Sequence, residues 1–247
     1  MKGRTAEDGT EITLAANTFT RDGWTFSGWA TSAGSIAYDD NSGYTIGTAD
    51  VTLYAVWGKL VTADNAATVI GGLEGGTREN PNVYMIKITD KTLTAEQLKE
   101  IGTTIETVAN KSNYYASFSL DLSSATEVTE IQEEAFSTCR LRGLILPDSL
   151  ETIGIGAFGY NRFEEIVIPD NVKTIEDGGF EYCSNLKTIT LPASLVSIGA
   201  SAFASTVLET VNYKGTQAQW AQIKIDDYND KLTGAKIICT DGIINGE

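Results

Sequence analysis

The sequence predicts a mostly β protein of the α+β class, built around a solenoid of repeats about 22 to 23 residues long. The first observation is an apolar residue that recurs with this period, at Ile131, Ile153, Ile175 and Ile198. The second is a phenylalanine five positions after each isoleucine, at Phe136, Phe158, Phe180 and Phe203. Because such a unit cannot bury its own apolar face, the copies must stack to form one continuous core.

A strand pattern in each repeat is the third observation. Leu186, Ile189 and Leu191 are followed by Pro192, and a proline in this place ends a strand because it has no N–H to donate. Alternate residues of a strand face opposite sides, so the residues between the apolar ones face solvent. They form two files, Gly143, Glu165, Thr188 and Thr210, and Ile145, Val167, Thr190 and Asn212.

Function in a solenoid is usually located on its exposed sheet face, because the inward positions are constrained by packing. The outward residues vary from copy to copy, whereas the inward residues stay apolar. We therefore predict a ligand-binding face made of the following residues: Ile145, Glu165, Val167, Thr188, Thr190, Thr210 and Asn212.

Each repeat also has a small residue directly before its phenylalanine and a second recurring position three residues after it. That second position holds Cys139, Asn161, Cys183 and Thr206. With these features the unit resembles the BspA-type leucine-rich repeat of bacterial and protozoan surface proteins. The resemblance implies an exported protein, extracellular or at the cell surface, that binds host or bacterial surface proteins or matrix, and possibly glycans.

Residues 1–58 have a different composition, rich in aromatic residues and threonine. The segments 24–29 and 51–57 alternate as strands do. The segments 19–29, 44–46 and 53–57 together resemble the Listeria-Bacteroides repeat, also called the internalin B-repeat, which implies a small β-grasp-like module. Its aromatic residues Trp24, Trp29, Tyr54 and Trp57 are either a platform for sugar rings or, as we prefer, the core of a small domain.

Residues 59–130 are predicted to be an αβ connector that caps the N-terminal end of the solenoid. Thr94 and Gln97 form a capping-box pattern. The helix that follows places one apolar stripe on its inner face, made of Leu98, Ile101, Ile105 and Val108. Repeats then occupy residues 131–212. Residues 213–247, with a short helix after Thr216 and a strand over 235–239, are predicted to cap the other end.

Composition excludes several functions. The formal charge of −15 opposes binding to nucleic acid and to anionic membranes, and favours a monomer. Without any histidine, the chain lacks the commonest general base and the commonest transition-metal ligand. We expect no catalysis, no cofactor, no metal ion and no direct insertion into a membrane. Since the resemblance implies export, the signal and anchor are expected outside this segment.

A rival hypothesis from another class is an exported carbohydrate-active enzyme or its carbohydrate-binding accessory module. It depends on the aromatic residues and on paired carboxylates, which glycosidases use when the two groups are held about 5 to 10 Å apart. The pairs are Glu133-Glu134, Glu164-Glu165 and Asp226-Asp227. The acidic segment 226–230 leaves a calcium site open, although it lacks the glycine and glutamate of an EF-hand loop.

The cysteines are predicted to be structural. Cys139 and Cys183 occupy the same position two repeats apart, so their Cα atoms should lie about 10 Å from each other. A disulfide tolerates about 7 Å at most. We therefore expect both to be buried thiols, and Cys239 to be structural as well.

Overall fold

The computed structural model describes residues 9–20, 22–30, 41–46, 53–75, 82–111 and 116–245. Residues 1–8, 21, 31–40 and 47–52 of the predicted N-terminal module lie outside the described residues. Where it is described, the chain is mostly β, with one two-stranded sheet and three five-stranded sheets.

The described part of the N-terminal region contains four strands. They are β1 (Glu11–Thr13), β2 (Thr25–Ala30), β3 (Gly43–Thr45) and β4 (Tyr54–Val61). β1 pairs with β3 and β2 pairs with β4, both in antiparallel orientation. The register of β2 shifts between Phe26 and Gly28, so this strand carries a bulge.

The connector alternates helices and strands. It contains a short 3-10 helix (Ala63–Asn65), α1 (Ala66–Gly71), β5 (Asn82–Ile88), α2 (Ala95–Ala109) and β6 (Ala116–Asp121). β4, β5 and β6 are parallel neighbours, since a helix crosses over between each pair. β4 passes residue 58 and pairs with β5 through residues 58–61, so the N-terminal region and the connector share one sheet.

The predicted capping box of α2 is confirmed. The hydroxyl of Thr94 accepts a hydrogen bond from the Gln97 backbone at 3.2 Å, and the Gln97 side chain accepts one from the Thr94 backbone at 2.9 Å. The predicted apolar stripe of the helix, Leu98, Ile101, Ile105 and Val108, is buried. Gly102 lies on the same side, where an added Cβ would stand 1.7 Å from the carbonyl oxygen of Ala135. The helix therefore packs directly on the first repeat.

Each repeat contributes one very short strand and one longer strand. In chain order they are β7 (Glu130–Ile131), β8 (Leu141–Ile145), β9 (Thr152–Ile153), β10 (Glu165–Val167), β11 (Thr174–Ile175), β12 (Thr188–Leu191), β13 (Ser197–Ile198) and β14 (Thr210–Tyr213). The C-terminal segment adds α3 (Gln217–Trp220), β15 (Lys224–Ile225), α4 (Asp230–Thr233), β16 (Lys236–Cys239) and β17 (Gly242–Ile244).

All of these strands except β8 form two sheets, each built from successive repeats and extended by the C-terminal segment. The very short strands give the order β15-β13-β11-β9-β7, with parallel pairing throughout. The longer strands give the order β10-β12-β14-β16-β17, parallel except for the last hairpin. Glu165 is opposite Thr188, which is opposite Thr210, so equivalent positions of successive repeats are aligned.

The core between the sheets contains a phenylalanine column, formed by Phe136, Phe158, Phe180 and Phe203. Neighbouring rings stack with centroids 5.8, 5.5 and 5.5 Å apart, and all four side chains are fully buried. The recurring position three residues later is buried in every copy, as predicted, and the three cysteines are free thiols. Equivalent residues of successive repeats therefore contact one another in the core.

The longer strands do not form one continuous sheet, although the aligned repeats predict one. β8 completes a different sheet, of order β2-β4-β5-β6-β8, and pairs in parallel with β6. Phe118 is opposite Leu141 and Ser119 is opposite Gly143, so Arg142 is an extra residue that bulges out of β8. Bulges bend a strand and increase its twist. Among the described residues, no ladder pairs β8 with β10.

Candidate recognition face and groove

The predicted face is assembled on β10, β12 and β14. Val167 is opposite Thr190, which is opposite Asn212, and the neighbouring file runs from Glu165 through Thr188 to Thr210. Glu165 and Val167 are exposed and the other four are half-buried. The alternating residues, such as Ile166, Ile189 and Val211, are buried. Six of the seven predicted residues therefore lie on one surface.

Two further residues extend this face. Lys236 is opposite Thr210 and Ile238 is opposite Asn212, on β16. Sequence reasoning predicted the strand but did not place these residues on the face, because they follow their partners by 26 residues and not by the repeat period. Ile238 is exposed and lies opposite the exposed Ile243 of the edge strand β17, so the face ends on apolar side chains.

Ile145, the seventh predicted residue, lies on the other sheet. It is opposite Asp121 on β6, and Asp121 pairs with Lys87 at 3.0 Å. The Asp121 carboxylate also accepts a hydrogen bond from the Ser123 backbone at 2.9 Å. Ile145 is exposed. Because β8 and β10 belong to different sheets, the gap between these strands separates Ile145 from the other six residues.

A groove of about 360 Å³ occupies this gap. Leu144, Ile145 and Val167 are among its lining residues and make its middle apolar. Arg142 lines it near the start of β8, and Asp148 lines it beyond the end of that strand. Residues of both sheets therefore contribute to one concave surface.

The paired carboxylates give no enclosed site. Glu133, Glu134, Glu164 and Glu165 are all exposed. Asp226 pairs with Lys224 at 3.0 Å. Neighbouring carboxylates on an open surface lack the enclosed, matched geometry that glycoside cleavage requires.

Asn229 organises the acidic segment 226–230. Its buried side-chain amide donates to the backbone carbonyls of Gly199 and Asp226 at 2.8 and 2.9 Å, and its oxygen accepts from the Phe203 backbone at 3.1 Å. Within the part of the chain that the structure describes, no group of three or more acidic or cysteine side chains could hold a metal ion. Through Asn229, segment 226–230 therefore attaches the C-terminal segment to the last repeat.

The aromatic residues of the N-terminal region contact one another. Trp24 stacks on Tyr84 with centroids 5.3 Å apart, and Phe26 meets Trp29 and Trp57 edge-on at 5.0 and 5.7 Å. Trp29 is buried, whereas Trp24 and Trp57 are half-buried. The side chain of Tyr54 lies outside the described residues. These contacts are those of a core and not of a flat, open platform.

The repeat cysteines are in chemically quiet surroundings. Burial raises the pKa of Cys183 to about 12, and it raises the pKa of Cys139 still further. The Cys183 thiol donates to the carbonyl of Phe158, and the Cys139 thiol to the carbonyl of Gly102, each at 3.3 Å. Because the thiolate is the reactive form, neither residue is a nucleophile at neutral pH.

No helix in the described ranges is both long enough and apolar enough to cross a bilayer.

Comparisons with known proteins agree with the repeat architecture. Residues 103–223 match the BspA type leucine rich repeat region in six copies. Residues 2–56 match the Listeria-Bacteroides repeat domain. The model finds six copies, two more than the four that the isoleucine and phenylalanine spacing identifies.

One solved structure, a leucine-rich repeat protein from Bacteroides ovatus, is similar to this chain. The two are 16% identical over 91% of this chain and 72% of that chain, with a TM-score of 0.28. No curated protein has a significantly similar sequence. On the sequence matches, the chain carries a BspA-type leucine-rich repeat region over residues 103–223 and a Listeria-Bacteroides repeat over residues 2–56.

Proposed function

We propose that the repeats form a solenoid whose exposed strand face recognises another protein, within an exported, non-enzymatic bacterial surface protein. BspA-type repeats are typical of bacterial surface proteins, and leucine-rich repeat proteins are typically not enzymes. The biological role is adhesion, with host proteins, matrix or neighbouring bacteria as partners.

One observation carries this proposal. The outward residues of β10, β12 and β14 are aligned by the strand register into two files, while the inward residues between them are buried. Glutamate, valine, threonine and asparagine share these files, whereas the inward positions stay apolar apart from the terminal Tyr213. A surface that packing holds in place, but whose chemistry is free to vary, is well suited to recognition.

Capping segments would keep such a solenoid soluble, because an open end exposes core residues and unpaired strand edges. α2 packs on the first repeat through Gly102, and the Asn110 side chain donates to the carbonyl of Thr138 at 3.2 Å. At the other end, β16 pairs with β14, and Trp220 is buried against Tyr213 at 5.3 Å. In the proposed function these segments are structural, and the β-grasp-like module acts as a stalk.

The test begins with an array of host proteins, matrix proteins and glycans probed with the full chain. Each hit is then measured by surface plasmon resonance against the triple variant Thr188→Lys, Thr190→Lys and Asn212→Lys. These side chains point away from the core, so the variant should weaken binding at least tenfold while leaving the melting temperature within about 2 °C.

A control variant carries the same added charge elsewhere: Thr126→Lys, Ser184→Lys and Asn185→Lys, all at exposed positions away from the face. It should bind like the wild type. If every hit binds the face variant normally, the face is not the recognition surface. Glycan hits that depend on Trp24 or Trp57 would instead support a carbohydrate-binding module.

A further inference from the structure

The described arginines form one cluster at the start of β8 and β10. Arg140 and Arg142 flank Leu141, whose carbonyl accepts a hydrogen bond from the Arg162 backbone at 2.8 Å. The Leu141 backbone in turn donates to the buried side chain of Asn161, also at 2.8 Å. These two bonds hold the backbone segments that carry the three arginines beside one another.

Glu164 and Glu165 follow Arg162 closely in the chain, but within the described residues no carboxylate forms an ion pair with this cluster. Arg140, Arg142 and Arg162 make no ion pair there, although the chain has a formal charge of −15. Partial burial, and then the charges of Arg140 and Arg142, lower the pKa of Arg162. Like charges held together repel each other, so an anion placed among them relieves an existing cost.

The groove between β8 and β10 leads away from this cluster. Arg142 lines its start, and Ile145 and Val167 present apolar surface in its middle, with 39% and 59% of each residue exposed. Asp148 and Asp170 line the groove beyond the strand ends, where Asp170 pairs with Lys214. Glu165 also lines the start of the groove, where the three arginines of the cluster outnumber it. The groove is therefore net basic at one end, apolar in the middle, and acidic through Asp148 at the other end.

We propose that this groove binds an extended peptide segment of a partner protein whose charges run in the opposite order. Its carboxylates contact the arginine cluster, an apolar side chain packs on Ile145 and Val167, and a basic side chain reaches Asp148. The proposal rests on the proposed function, since it names the kind of partner and where it docks. From residue 141 to residue 148, an extended chain spans roughly 25 Å, so a segment of about eight residues fits.

The charge distribution favours a peptide over a polyanionic glycan. A sulfated sugar chain that covered the arginines would continue toward Asp148 and Asp170, and like charges in direct contact are unfavourable. A peptide can change the sign of its charge within a few residues. It can also place carboxylates in the forked geometry that guanidinium groups bind best.

The experiment uses a phage library of random twelve-residue peptides selected on the full chain. Enriched peptides should carry Asp or Glu near one end, an apolar residue in the middle, and Lys or Arg near the other end. Synthetic copies, measured by fluorescence polarisation, should bind the variant Arg142→Glu with Arg162→Glu at least tenfold more weakly. They should also bind Asp148→Lys at least threefold more weakly.

A matched control places the same charge change outside the groove, with Lys187→Glu and Lys231→Glu. Lys187 occupies in its repeat the position that Arg142 occupies in the first, and it does not line the groove. The control should bind the peptides within twofold of wild type, and the circular dichroism spectra of all variants should agree.

Three results would overturn the proposal: no enriched peptides, enriched peptides that bind the arginine variant normally, or preferential binding of heparin-derived oligosaccharides to the cluster. The proposed function can survive all three. It fails only if the array hits bind the variant at Thr188, Thr190 and Asn212 as tightly as the wild type. These three residues do not line the groove, so the two tests are independent.

Discussion

The two sheets that border the groove are built in different ways. In the sheet β10-β12-β14-β16-β17, the first three strands come from successive repeats, and each is a shifted copy of its neighbour. In the sheet β2-β4-β5-β6-β8, strands from the N-terminal region and the connector pair with the first repeat, and parallel and antiparallel pairs are mixed. Repetition fixes the register of the first sheet, whereas crossover helices and bulges set that of the second.

The comparison teaches where a repeat protein can depart from its own pattern. Identical units stack with one repeated translation, so the interior of an array tolerates little variation. The first repeat has a different neighbour, and there β8 follows β6 and not β10. The departure leaves the groove, which the arginine cluster borders at one end and Asp148 lines at the other.

The phenylalanine column is the strongest test of the repeat side of this comparison. Phe158 stacks on Phe136 and Phe180 and meets Phe163 edge-on, and it is fully buried. Phe158→Ala should therefore cost about 3 to 5 kcal/mol in the free energy of unfolding, measured in urea. Tyr160→Ala, which removes an exposed ring two residues later, should cost less than about 1 kcal/mol. Equal losses would contradict the column as the centre of the core.

Asn161 tests the junction between the two sheets. Its buried amide accepts from the Leu141 backbone and donates to the carbonyls of Phe136 and Phe158 at 2.8 and 2.9 Å. Asn161→Ala leaves these groups without partners and should cost about 2 to 4 kcal/mol. Asn161→Cys copies the residue found in the neighbouring repeats and should cost less. If the two variants are equally stable in urea, the hydrogen bonds at the junction contribute little.

Gly102 tests the contact between α2 and the first repeat. A Cβ at this position would collide with the backbone oxygen of Ala135, so Gly102→Ala should cost about 1 to 3 kcal/mol. Gly71, in α1, has open space around it and is the matched control. Gly71→Ala should be neutral or slightly stabilising, because alanine favours a helix over glycine. Calorimetric melting temperatures that move equally in both variants would exclude the close packing of α2.

The cysteines give the smallest effect, a dependence of stability on pH. Burial raises the pKa of Cys183 to about 12, above the value of an unfolded thiol, about 8.5. The buried neutral thiol therefore adds stability that is fully present below about pH 8.5 and is lost as pH rises above it, by up to about 1.4 kcal/mol per pH unit. Urea unfolding between pH 7 and 10 should show a shallower decline in Cys183→Ala than in the wild type.

The same thiols should resist alkylation by iodoacetamide in the folded chain and react after denaturation. Burial disfavours the reactive thiolate and keeps the reagent away from the sulfur. Rapid modification of Cys139 in the native chain would show that the first repeat opens more readily than its packing on α2 suggests.

Much of the fold could be predicted from the sequence because the patterns that indicate it involve residues close together in the chain or one repeat apart. The period identifies the isoleucines and the phenylalanine column, and the alternation inside each strand separates buried Ile189 from half-buried Thr188. Thr94 and Gln97 predict the start of α2 since a capping box depends on residues three apart. The face residues from Glu165 to Asn212 are predictable for the same reason.

What only the tertiary structure decided concerns pairing between segments that do not repeat. No local pattern states that β8 pairs with β6, that Arg142 is bulged, or that Lys236 and Ile238 extend the face. Strand pairing depends on contacts between distant parts of the chain, and several registers can satisfy the same alternating pattern. The repeat therefore determined the core and the face, whereas the groove and its charges arise where the repeat meets a different sheet.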